Sequence, residues 1–327
     1  MALLDRFGRV HDYLRVSVTD RCDLRCAYCM PEEGIDWRDS TELLTFEEIE
    51  RVVSIFVQQG VRKVRLTGGE PLIRPELPTL VAMLRKLPGL ETIAITTNAT
   101  HLARDASSLK RAGLDKITVS LDTLHPARFA AITHRDRFAE VWRGIEAAIA
   151  EGFLPLKLNV VLMARVNDDE VLDFVRLSCE RPIIVRFIEF MPFKENGWST
   201  TKLISYRDLL QQISREFTLQ PVESSSRSDV AKEYTVNGGL GRIGFITSMT
   251  EDFCSTCNRM RLTADGAIKS CLHDGAEFSI RDLMRSGATQ VEIENVIRRS
   301  LAGKQERHAG IDELYQIENR TMIQIGG

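Results

Sequence analysis

Short apolar stretches alternate with amphipathic helical patterns along the first two thirds of the chain. Six stretches have the length and composition of buried strands, and they lie at residues 14–18, 61–67, 92–97, 116–121, 156–161 and 183–188. Helical periodicity predicts helices between them, at residues 46–59, 77–87, 102–112, 138–151 and 168–177. Strands joined by helical crossovers form a parallel sheet with right-handed connections. Because six βα units are fewer than the eight of a closed barrel, we expect an α/β fold with an incomplete, open (βα)6 barrel.

Polar residues collect where these predicted strands end. Three cysteines follow the first strand, Gly68-Gly69-Glu70-Pro71 follows the second, and Ser120-Leu121-Asp122 ends the fourth. On the fifth strand, Lys157 and Asn159 share one face, and such a pair on a parallel strand is costly unless it lines a polar cavity. Because the chemistry of parallel βα folds lies at the carboxyl ends of the strands, we predict an active site there.

The alternation of strands and helices ends after a helical pattern at residues 206–217. Residues 224–228 are polar and serine-rich, which is typical of a flexible linker or loop. Gly239, Gly241 and Gly244 match the spacing of a dinucleotide-binding loop, but a strand-like segment follows where that motif needs a helix, which favours a glycine-rich hairpin. We therefore divide the chain into a partial barrel at residues 1–220 and a smaller C-terminal subdomain at residues 221–327.

Six of the seven cysteines fall into two closely spaced triplets. The triplets are Cys22-x3-Cys26-x2-Cys29 and Cys254-x2-Cys257-x13-Cys271. Thiolates with such spacing bind a metal ion or an iron–sulfur cluster. A structural zinc site takes four ligands, so a zinc interpretation needs His11, His273 or another residue to complete a triplet. A 4Fe–4S cluster on three thiolates instead leaves one iron open to a substrate, and this interpretation is preferred. Cys179 lies in a helical pattern and fits a buried apolar residue.

Composition and charge narrow the class of protein further. Of 327 residues, 43% are hydrophobic and 27% are charged, as in an ordinary globular protein. Apolar runs stay below the ~18 residues of a membrane helix, and the N-terminus does not have the pattern of a secretion signal. A net charge of -3 argues against a protein that coats nucleic acid. We therefore expect a cytoplasmic enzyme with reduced cysteines and with neither a membrane nor a nucleic-acid partner.

Several motifs resemble those of one enzyme superfamily. The first triplet, with Tyr28 inside it and Met30-Pro31 after it, resembles the signature of the radical S-adenosylmethionine (SAM) superfamily. Gly68-Gly69-Glu70-Pro71 resembles the segment that binds the amino group of SAM in that superfamily. Within it, the run from His11 to Pro31, Arg259-Met260-Arg261 and the terminal Gly326-Gly327 resemble the GTP 3′,8-cyclase family of molybdenum cofactor biosynthesis. The resemblance spans the chain from Phe7 to Gly327.

This resemblance implies two 4Fe–4S clusters and SAM as cofactors, with no catalytic residue beyond the cluster ligands. It assigns a SAM-cleaving cluster to Cys22, Cys26 and Cys29, and a GTP-binding cluster to Cys254, Cys257 and Cys271. The family's other SAM contacts correspond to Tyr28, Gly69, Ser120 and Met191. Its GTP contacts correspond to Arg15, Arg65, Thr96, Lys157, Arg259, Met260 and Arg261.

The implied reaction converts GTP to 3′,8-cyclo-7,8-dihydroguanosine 5′-triphosphate, the first step of molybdopterin biosynthesis. In this reaction a 5′-deoxyadenosyl radical made from SAM removes the C3′ hydrogen of GTP, and C3′ then attacks C8 of guanine. The resemblance also implies a low-potential electron donor, a downstream enzyme that takes the molybdopterin precursor, and a homodimer. Gly326-Gly327 corresponds to a flexible tail that reaches into the active site of the family.

One position departs from the family pattern, and two other functions stay open. Ala99 follows the third strand where many relatives have glycine, so this turn either has a negative φ or differs in shape. One alternative is a radical SAM enzyme with an auxiliary cluster that modifies a peptide. The other is a zinc-stabilised binding module. The arginines beside the second triplet favour a phosphate-bearing substrate over a peptide.

Overall fold

The computed structural model describes residues 2–31, 33–223, 230–314 and 316–326. Within these residues, twelve strands form one sheet. They are β1 (Tyr13–Ser17), β2 (Lys63–Thr67), β3 (Thr92–Thr97), β4 (Lys116–Ser120), β5 (Leu156–Leu162), β6 (Ile183–Glu189), β7 (Leu219–Pro221), β8 (Lys232–Val236), β9 (Arg242–Ile246), β10 (Arg259–Leu262), β11 (Ala267–Lys269) and β12 (Phe278–Ser279). Their order across the sheet is β12-β11-β10-β1-β2-β3-β4-β5-β6-β9-β8-β7.

Helices connect most of these strands. The α-helices of the described residues are α1 (Phe46–Gln58), α2 (Leu77–Arg85), α3 (Leu102–Arg111), α4 (Pro126–Thr133), α5 (Phe138–Ala150), α6 (Val171–Glu180), α7 (Tyr206–Ser214), α8 (Ile280–Arg285), α9 (Gln290–Ala302), α10 (Ile311–Leu314) and α11 (Met322–Ile325). Short 3-10 turns lie at Ser40–Glu42, Pro71–Ile73, Asp168–Glu170, Thr200–Lys202 and Cys254–Thr256. Over the described ranges, none of the helices is long and apolar enough to cross a bilayer.

The first six strands lie side by side in chain order, and each is parallel to the next. This arrangement confirms the predicted open (βα)6 barrel. Strand β2 begins later than expected, at Lys63, because the Val61 amide still donates to the Phe56 carbonyl at the end of α1. Helix α6 also begins later, at Val171, because Asp168–Glu170 form a 3-10 turn before it. Helices α4, α8 and α9 were not predicted from the sequence.

The two faces of the barrel strands differ in polarity. On β5, Leu156, Leu158 and Val160 belong to the hydrophobic core that the helices cover. Lys157 and Asn159 lie on the other face and are only partly buried, as the alternation of a strand requires. The helices therefore cover the apolar face, and the opposite face of the sheet, called the polar face below, is left to carry the chemistry.

The C-terminal strands extend the barrel sheet at both edges. Strand β10 is parallel to β1, and β11 and β12 continue from it as antiparallel strands. At the other edge β9 is parallel to β6, and β8 and β9 form the hairpin predicted for the glycine-rich segment. The predicted linker at residues 224–228 lies outside the described residues. The proposed domain boundary after residue 220 falls within β7 and stays a prediction.

Ala99 adopts the left-handed conformation that the family pattern reserves for glycine. Its φ is +65°, so the expectation of a negative φ is wrong, and the alanine bears the strain of a left-handed residue. The Ala99 amide donates to the Thr97 hydroxyl at 2.9 Å, which holds the turn locally. Gly144 of α5 packs against the same turn, since a Cβ on Gly144 would lie 2.4 Å from the Ala99 carbonyl oxygen.

Replacing Gly144 with alanine should destabilise the protein, although alanine is the better helix former. In an exposed helix this change stabilises by about 1 kcal/mol, but the clash with Ala99 should instead cost about 1–3 kcal/mol. Urea unfolding followed by circular dichroism measures the difference. Gly303→Ala is the matched control, because Gly303 has a φ of -78° and an added Cβ would lie 3.6 Å from its nearest neighbour. Equal stability of the two variants would contradict the packing assigned to Gly144.

Candidate active site

A cleft opens at the carboxyl ends of β1 to β4 and encloses about 670 Å³ of empty space, part of it open to solvent. The structure brings many of the predicted site residues together here. Lining the cleft are Cys22, Cys26, Cys29, Tyr28, Gly69, Thr96 and Ser120. Met191, which follows β6, is not among the described residues that line it. The backbone carbonyl of Met191 accepts a hydrogen bond from Asn196 Nδ2 at 2.9 Å.

Gly68 and Gly69 let the loop after β2 lie directly against the loop after β1. A Cβ on Gly69 would lie 2.1 Å from the Arg21 carbonyl oxygen, and one on Gly68 would lie 2.6 Å from that of Thr19. The two backbones are also hydrogen-bonded, since the Gly69 amide donates to the Thr19 carbonyl at 2.8 Å. Side chains at these positions would push the loops apart, so glycine sets the width of the cleft beside the cysteines.

The buried carboxylate of Glu70 joins the loop after β2 to the end of β3. It accepts hydrogen bonds from the Thr97 hydroxyl and the Asn98 amide, each at 2.6 Å, and from the Leu72 amide at 2.9 Å. Burial raises the pKa of Glu70 to about 7, although these three donors favour the ionised form. Glu70 therefore acts as a link between two loops that line the cleft.

Asn98 connects β3 to the cysteine loop. Its Nδ2 donates to the Asp23 carboxylate at 2.8 Å and lies 3.8 Å from the Cys22 sulfur. The other Asp23 oxygen accepts from the Thr100 hydroxyl at 2.8 Å and from the Arg137 guanidinium at 2.7 Å. The position of Cys22 is thus fixed by side chains from the end of β3 and from the start of α5.

The first triplet fits an iron–sulfur cluster. Its thiols lie close enough to interact electrostatically, and burial raises the pKa of each, to about 12 for Cys29. A buried thiol becomes a thiolate when a metal supplies positive charge, as iron does. The Tyr28 hydroxyl donates to Asp122 at 2.6 Å and orders the chain between Cys26 and Cys29. Beyond the sulfurs, the cleft leaves room for a further ligand.

The second triplet lies at the opposite end of the polar face. Cys254 and Cys257 precede β10, and Cys271 follows β11, which is antiparallel to β10. Because β10 is parallel to β1, all three cysteines lie near the amino end of β1, whereas the first triplet follows its carboxyl end. The five residues of β1 span about 16 Å at 3.3 Å per residue.

Cations surround the second triplet. The Lys304 ammonium lies 3.5 Å from the Cys257 sulfur. Burial alone would raise the pKa of the Cys257 thiol, but Lys304 and Arg259 hold it below its usual value, whereas burial raises that of Cys254 to about 11. In the part of the chain that the structure describes, no three Cys, His, Asp or Glu side chains are grouped closely enough to hold one metal ion. Thiols beside cations would suit an anionic thiolate cluster, which Cys254, Cys257 and Cys271 would hold.

An arginine row crosses the polar face between the two triplets. The register sets Arg15 of β1 between Arg261 of β10 and Arg65 of β2. Burial, together with the neighbouring Arg261, lowers the pKa of Arg15 well below its usual value, and burial lowers that of Arg261 to about 10. Like charges packed this closely favour an anionic ligand that spans several strands. The polar row continues across the next strands through Thr96, Thr118 and Lys157.

Tyr13 stands among these cations. Its hydroxyl accepts a hydrogen bond from Arg65 Nε at 2.6 Å, and Lys63 and Arg259 lie 4.6 Å and 5.3 Å from the centre of its ring. Burial alone would raise the pKa of Tyr13, but Arg65 and the other cations lower it to about 6. The phenol is therefore a shared partner for cations on the two neighbouring strands β2 and β10.

Two other predicted positions lie on opposite faces of the sheet. Met260 of β10 points into the hydrophobic core, so only its backbone can meet a ligand on the polar face. Gly326 lies on the polar face, where its carbonyl accepts from Arg261 Nη1 at 3.0 Å. A Cβ on Gly326 would lie 2.6 Å from the Cβ of Ser17. The C-terminal tail thus reaches the site at least as far as Gly326, and Gly327 lies outside the described residues.

The two histidines weighed as zinc ligands have other partners. His11 is buried, with Nδ1 2.9 Å from the Arg9 carbonyl oxygen and Nε2 3.8 Å from the Asp5 carboxylate. The His273 ring stacks on Phe193 with the ring centres 5.4 Å apart. Burial lowers the pKa of His11 to about 4 and that of His273 to about 3. Neither side chain lines the cleft of the first triplet.

Sequence reasoning missed three residues that hold the site together: Tyr13, Asp23 and Lys304. Tyr13 lies two residues before Arg15 on the same strand. Because strand side chains alternate between faces, this spacing puts both on one face and could have identified Tyr13 as a site residue. Asp23 is next to Cys22, and its position alone was a weak signal. Lys304 follows α9, far along the chain from either triplet, and no local pattern marked it.

Comparisons with known proteins find relatives that match nearly the whole chain. The family model described as Radical SAM superfamily matches residues 16–178, and the model described as Molybdenum Cofactor Synthesis C matches residues 183–310. The GTP 3′,8-cyclase of Heliobacterium modesticaldum is 44% identical over 330 residues, which cover 99% of this chain and 100% of that protein. The mitochondrial GTP 3′,8-cyclase of Arabidopsis thaliana is 45% identical, and the match covers 99% of this chain and 83% of that protein.

Other relatives are longer, and solved structures share the fold. Molybdenum cofactor biosynthesis protein 1 of Bos taurus is 48% identical over 99% of this chain, which spans only 51% of that protein, about half its length. Native anSMEcpe with bound AdoMet has a TM-score of 0.61 at 13% identity, covering 93% of this chain and 84% of that one. SuiB of Streptococcus suis bound to S-adenosylmethionine has a TM-score of 0.58 at 16% identity, covering 85% and 67%. At these identities the structures establish the fold alone.

The low pKa of His11 should make the protein sensitive to acid. Its pKa is about 4 in the folded chain against the usual 6.5, so the unfolded state binds a proton first and stability falls as the pH drops from 6.5 towards 4. The full shift corresponds to about 3 kcal/mol. Urea unfolding at about pH 7 and about pH 5 should show about 2 kcal/mol of this loss, because folded His11 is still mostly neutral at pH 5. His11→Asn, which keeps a donor for the Arg9 carbonyl, should flatten the difference.

His134→Asn is the matched control for this measurement. His134 is exposed and has a φ of +53°, which asparagine tolerates, so its replacement should leave the pH dependence unchanged. A His11→Asn variant that loses as much stability in acid as the wild type would show that another group causes the effect.

Proposed function

We propose that this chain, which belongs to the GTP 3′,8-cyclase family of the radical SAM superfamily, converts GTP to 3′,8-cyclo-7,8-dihydroguanosine 5′-triphosphate in molybdenum cofactor biosynthesis. One observation carries the proposal: two cysteine triplets lie at opposite ends of one polar strand face, with an arginine row between them. Such a face offers a site for SAM at one end, a site for a purine base at the other, and cations for phosphates between them.

The first triplet and its cleft provide the SAM site. Cys22, Cys26 and Cys29 hold a 4Fe–4S cluster, which when bound supplies the electron that splits SAM into methionine and a 5′-deoxyadenosyl radical. Gly69 allows close approach of the backbone, and Tyr28 and Ser120 line the same space. Met191 is assigned to SAM by the family resemblance alone, since the structure does not place it among the described residues that line the cleft. The links through Glu70 and Asp23 hold these loops in place around the SAM site.

The second triplet and the arginine row provide the GTP site. Cys254, Cys257 and Cys271 hold a second 4Fe–4S cluster beside the guanine base. Arg15, Arg65, Arg259 and Arg261 bind phosphate oxygens, to which the guanidinium fork is suited, and Thr96, Lys157 and the backbone of Met260 complete the site. Anchoring the nucleotide at both ends keeps C3′ next to C8, so that loss of the C3′ hydrogen is followed by closure of the C3′–C8 bond within one bound molecule.

A peptide substrate accounts for the polar face less well. Arg65 and Arg261 are buried on this face on either side of Arg15, so the face concentrates positive charge. A triphosphate supplies several negative charges to such a row, whereas a peptide backbone supplies none. The electrostatics of the face therefore support the nucleotide over the peptide alternative.

The proposed reaction also defines the partners of the protein. The first cluster needs a low-potential electron donor, and the cyclic product needs a downstream enzyme that carries the molybdopterin precursor forward. The free cysteines require a compartment that keeps thiols reduced, for which we propose the cytoplasm, and we propose a homodimer as the assembly.

Separate cysteine replacements should separate the two halves of the reaction. Anaerobically purified wild-type protein should contain about eight iron atoms per chain, and Cys26→Ala or Cys257→Ala should lower this to about four. Loss of Cys26 should abolish formation of 5′-deoxyadenosine, whereas loss of Cys257 should spare it and remove the cyclic nucleotide. Both products are measured by chromatography after anaerobic reaction with SAM, GTP and dithionite.

Cys179→Ala is the matched control, because Cys179 packs on the core outside both triplets and should keep both products. Full GTP turnover in Cys257→Ala would defeat the assignment of the second site. A wild type that binds zinc in place of iron would favour the binding module over the enzyme.

Removal of the arginines beside the second triplet should weaken GTP binding. A hydrogen bond to a charged group is worth about 1.5–3 kcal/mol, so Arg259→Ala and Arg261→Ala should each raise the Kd for GTP about tenfold or more. Anaerobic equilibrium binding measures this, and guanosine, which lacks phosphates, should lose much less affinity than GTP. Arg207→Ala is the control, because this side chain is 84% exposed and pairs with Glu251. Unchanged GTP affinity in both site variants would place the phosphates elsewhere.

A further inference from the structure

Lys304 is a buried lysine directly after α9, and only 2% of it is exposed. Its ammonium donates to the Arg259 carbonyl at 3.0 Å and to the Ser270 carbonyl, and it lies 3.5 Å from the Cys257 sulfur. These partners come from three segments: the start of β10, the turn after β11 and the loop that carries Cys257. One side chain therefore joins all the pieces of chain on which the second triplet is built, except the turn at Cys254.

The hydrogen-bond partners of Lys304 are unusual for a buried lysine. A lysine is almost never fully buried without a partner, and the usual partner is a carboxylate. Lys269, the other buried lysine of this region, illustrates this, since its ammonium lies 3.0 Å from the Glu277 carboxylate. Lys304 instead has two neutral carbonyls and a sulfur within hydrogen-bonding distance. Of these partners, only the sulfur can become an anion.

We propose that Lys304 is a positioning residue of the second cysteine site, which fixes the Cys257 sulfur and supplies the buried positive charge that balances an anionic cluster there. The proposal rests on the proposed function, because it assumes a cluster on Cys254, Cys257 and Cys271. Two effects follow from the geometry. The hydrogen bonds to the carbonyls hold the cysteine-bearing segments together, and the charge beside the sulfur stabilises the reduced, more negative state of the cluster.

The first triplet differs from the second in the charge of the groups around its sulfurs. There the donors that the structure places beside cysteine sulfurs are neutral: the Leu24 amide and Asn98 Nδ2 beside Cys22, and the Tyr28 hydroxyl beside Cys26. The carboxylates of Glu70 and Asp23 lie close by. A cationic donor is thus a feature of the second site. Its loss should change the second cluster and leave the first cluster as an internal reference in the same molecule.

Two substitutions separate the two effects. Lys304→Met removes both the charge and the hydrogen bonds, whereas Lys304→Gln keeps a donor for the carbonyls and removes only the charge. Iron content and electron paramagnetic resonance during a reductive titration of the full chain report the two clusters independently of turnover. Lys202→Met is the matched control, because the Lys202 ammonium also donates to a backbone carbonyl, that of Gly197 at 2.7 Å, away from both triplets.

We expect Lys304→Met to lose the second cluster, with iron falling from about eight to about four per chain while the first cluster keeps its signal and its potential. Lys304→Gln should keep both clusters, with the potential of the second shifted in the negative direction. Lys304→Arg should restore the wild-type potential, because it keeps the charge. Lys202→Met should match the wild type in iron content and in both potentials.

Several results would overturn the proposal. Wild-type iron content and potentials in Lys304→Met would do so, as would equal changes in both clusters, which indicate general unfolding. If Lys304→Met does not fold, the comparison of Lys304→Gln with Lys304→Arg decides, and equal potentials of the second cluster in these two variants contradict the role of the charge. A wild type with only about four irons per chain would instead refute the second cluster, and so the proposed function itself.

Discussion

Hydrogen bonds between β1 and β10 join the first strand of the chain to the tenth, in a parallel register that sets Tyr13 opposite Arg259 and Arg15 opposite Arg261. The register decides which side chains of β10 reach the polar face. A slip by one residue would turn both arginines into the core and bring Met260 out, because successive side chains of a strand point to opposite faces. Burial of Met260 and Leu262 in the hydrophobic core opposes such a slip, so the apolar residues of β10 are what hold its arginines in the site.

A second constraint acts within the site, where the fold packs cations side by side. Arg15 lies between Arg261 and Arg65, and burial removes the water that would otherwise screen their repulsion. Tyr13 offsets part of this cost, since its hydroxyl accepts from Arg65 and its ring lies beside Arg259. The carbonyl of Gly326 offers Arg261 a further acceptor. Of these partners only the Tyr13 phenol can become an anion, and the arginines of the row outnumber it. The face therefore stays attractive to a strongly anionic ligand.

The sequence predicted most of the barrel because the information for it is local. Each strand from β1 to β6 is a short apolar run, and each prediction needed only neighbouring residues. The pairing of β10 with β1 was not predicted, because it depends on contacts between residues far apart in the chain. We expected the two triplets to face each other across a shared chamber, but the strand pairing that sets them at opposite ends of the polar face depends on the same distant contacts. The cysteines themselves were easily recognised from their spacing.

The candidate site shows the same division between local and distant information. Cys22, Gly69 and Ser120 were found because they belong to short motifs, and the structure brings them to one cleft. Met260 also belongs to a motif, but the alternation of β10 directs its side chain to the core. Ala99 shows that packing can override the preference of alanine for a negative φ. Its φ is +65°, in a turn against which Gly144 of α5 packs.

The two ends of the polar face differ in the sign of the charges around their cysteines, and this difference follows from the strands that supply the neighbours. The first triplet follows β1 and meets the loops after β2 to β4, which contribute the carboxylates of Glu70 and Asp122. The second precedes β10 and meets Arg259 and Lys304. Negative surroundings oppose the addition of an electron and make a reduced centre a stronger donor, whereas positive surroundings attract an anionic substrate. One sheet therefore offers two thiol triplets of similar composition for different tasks, with the task set by the residues around the sulfurs.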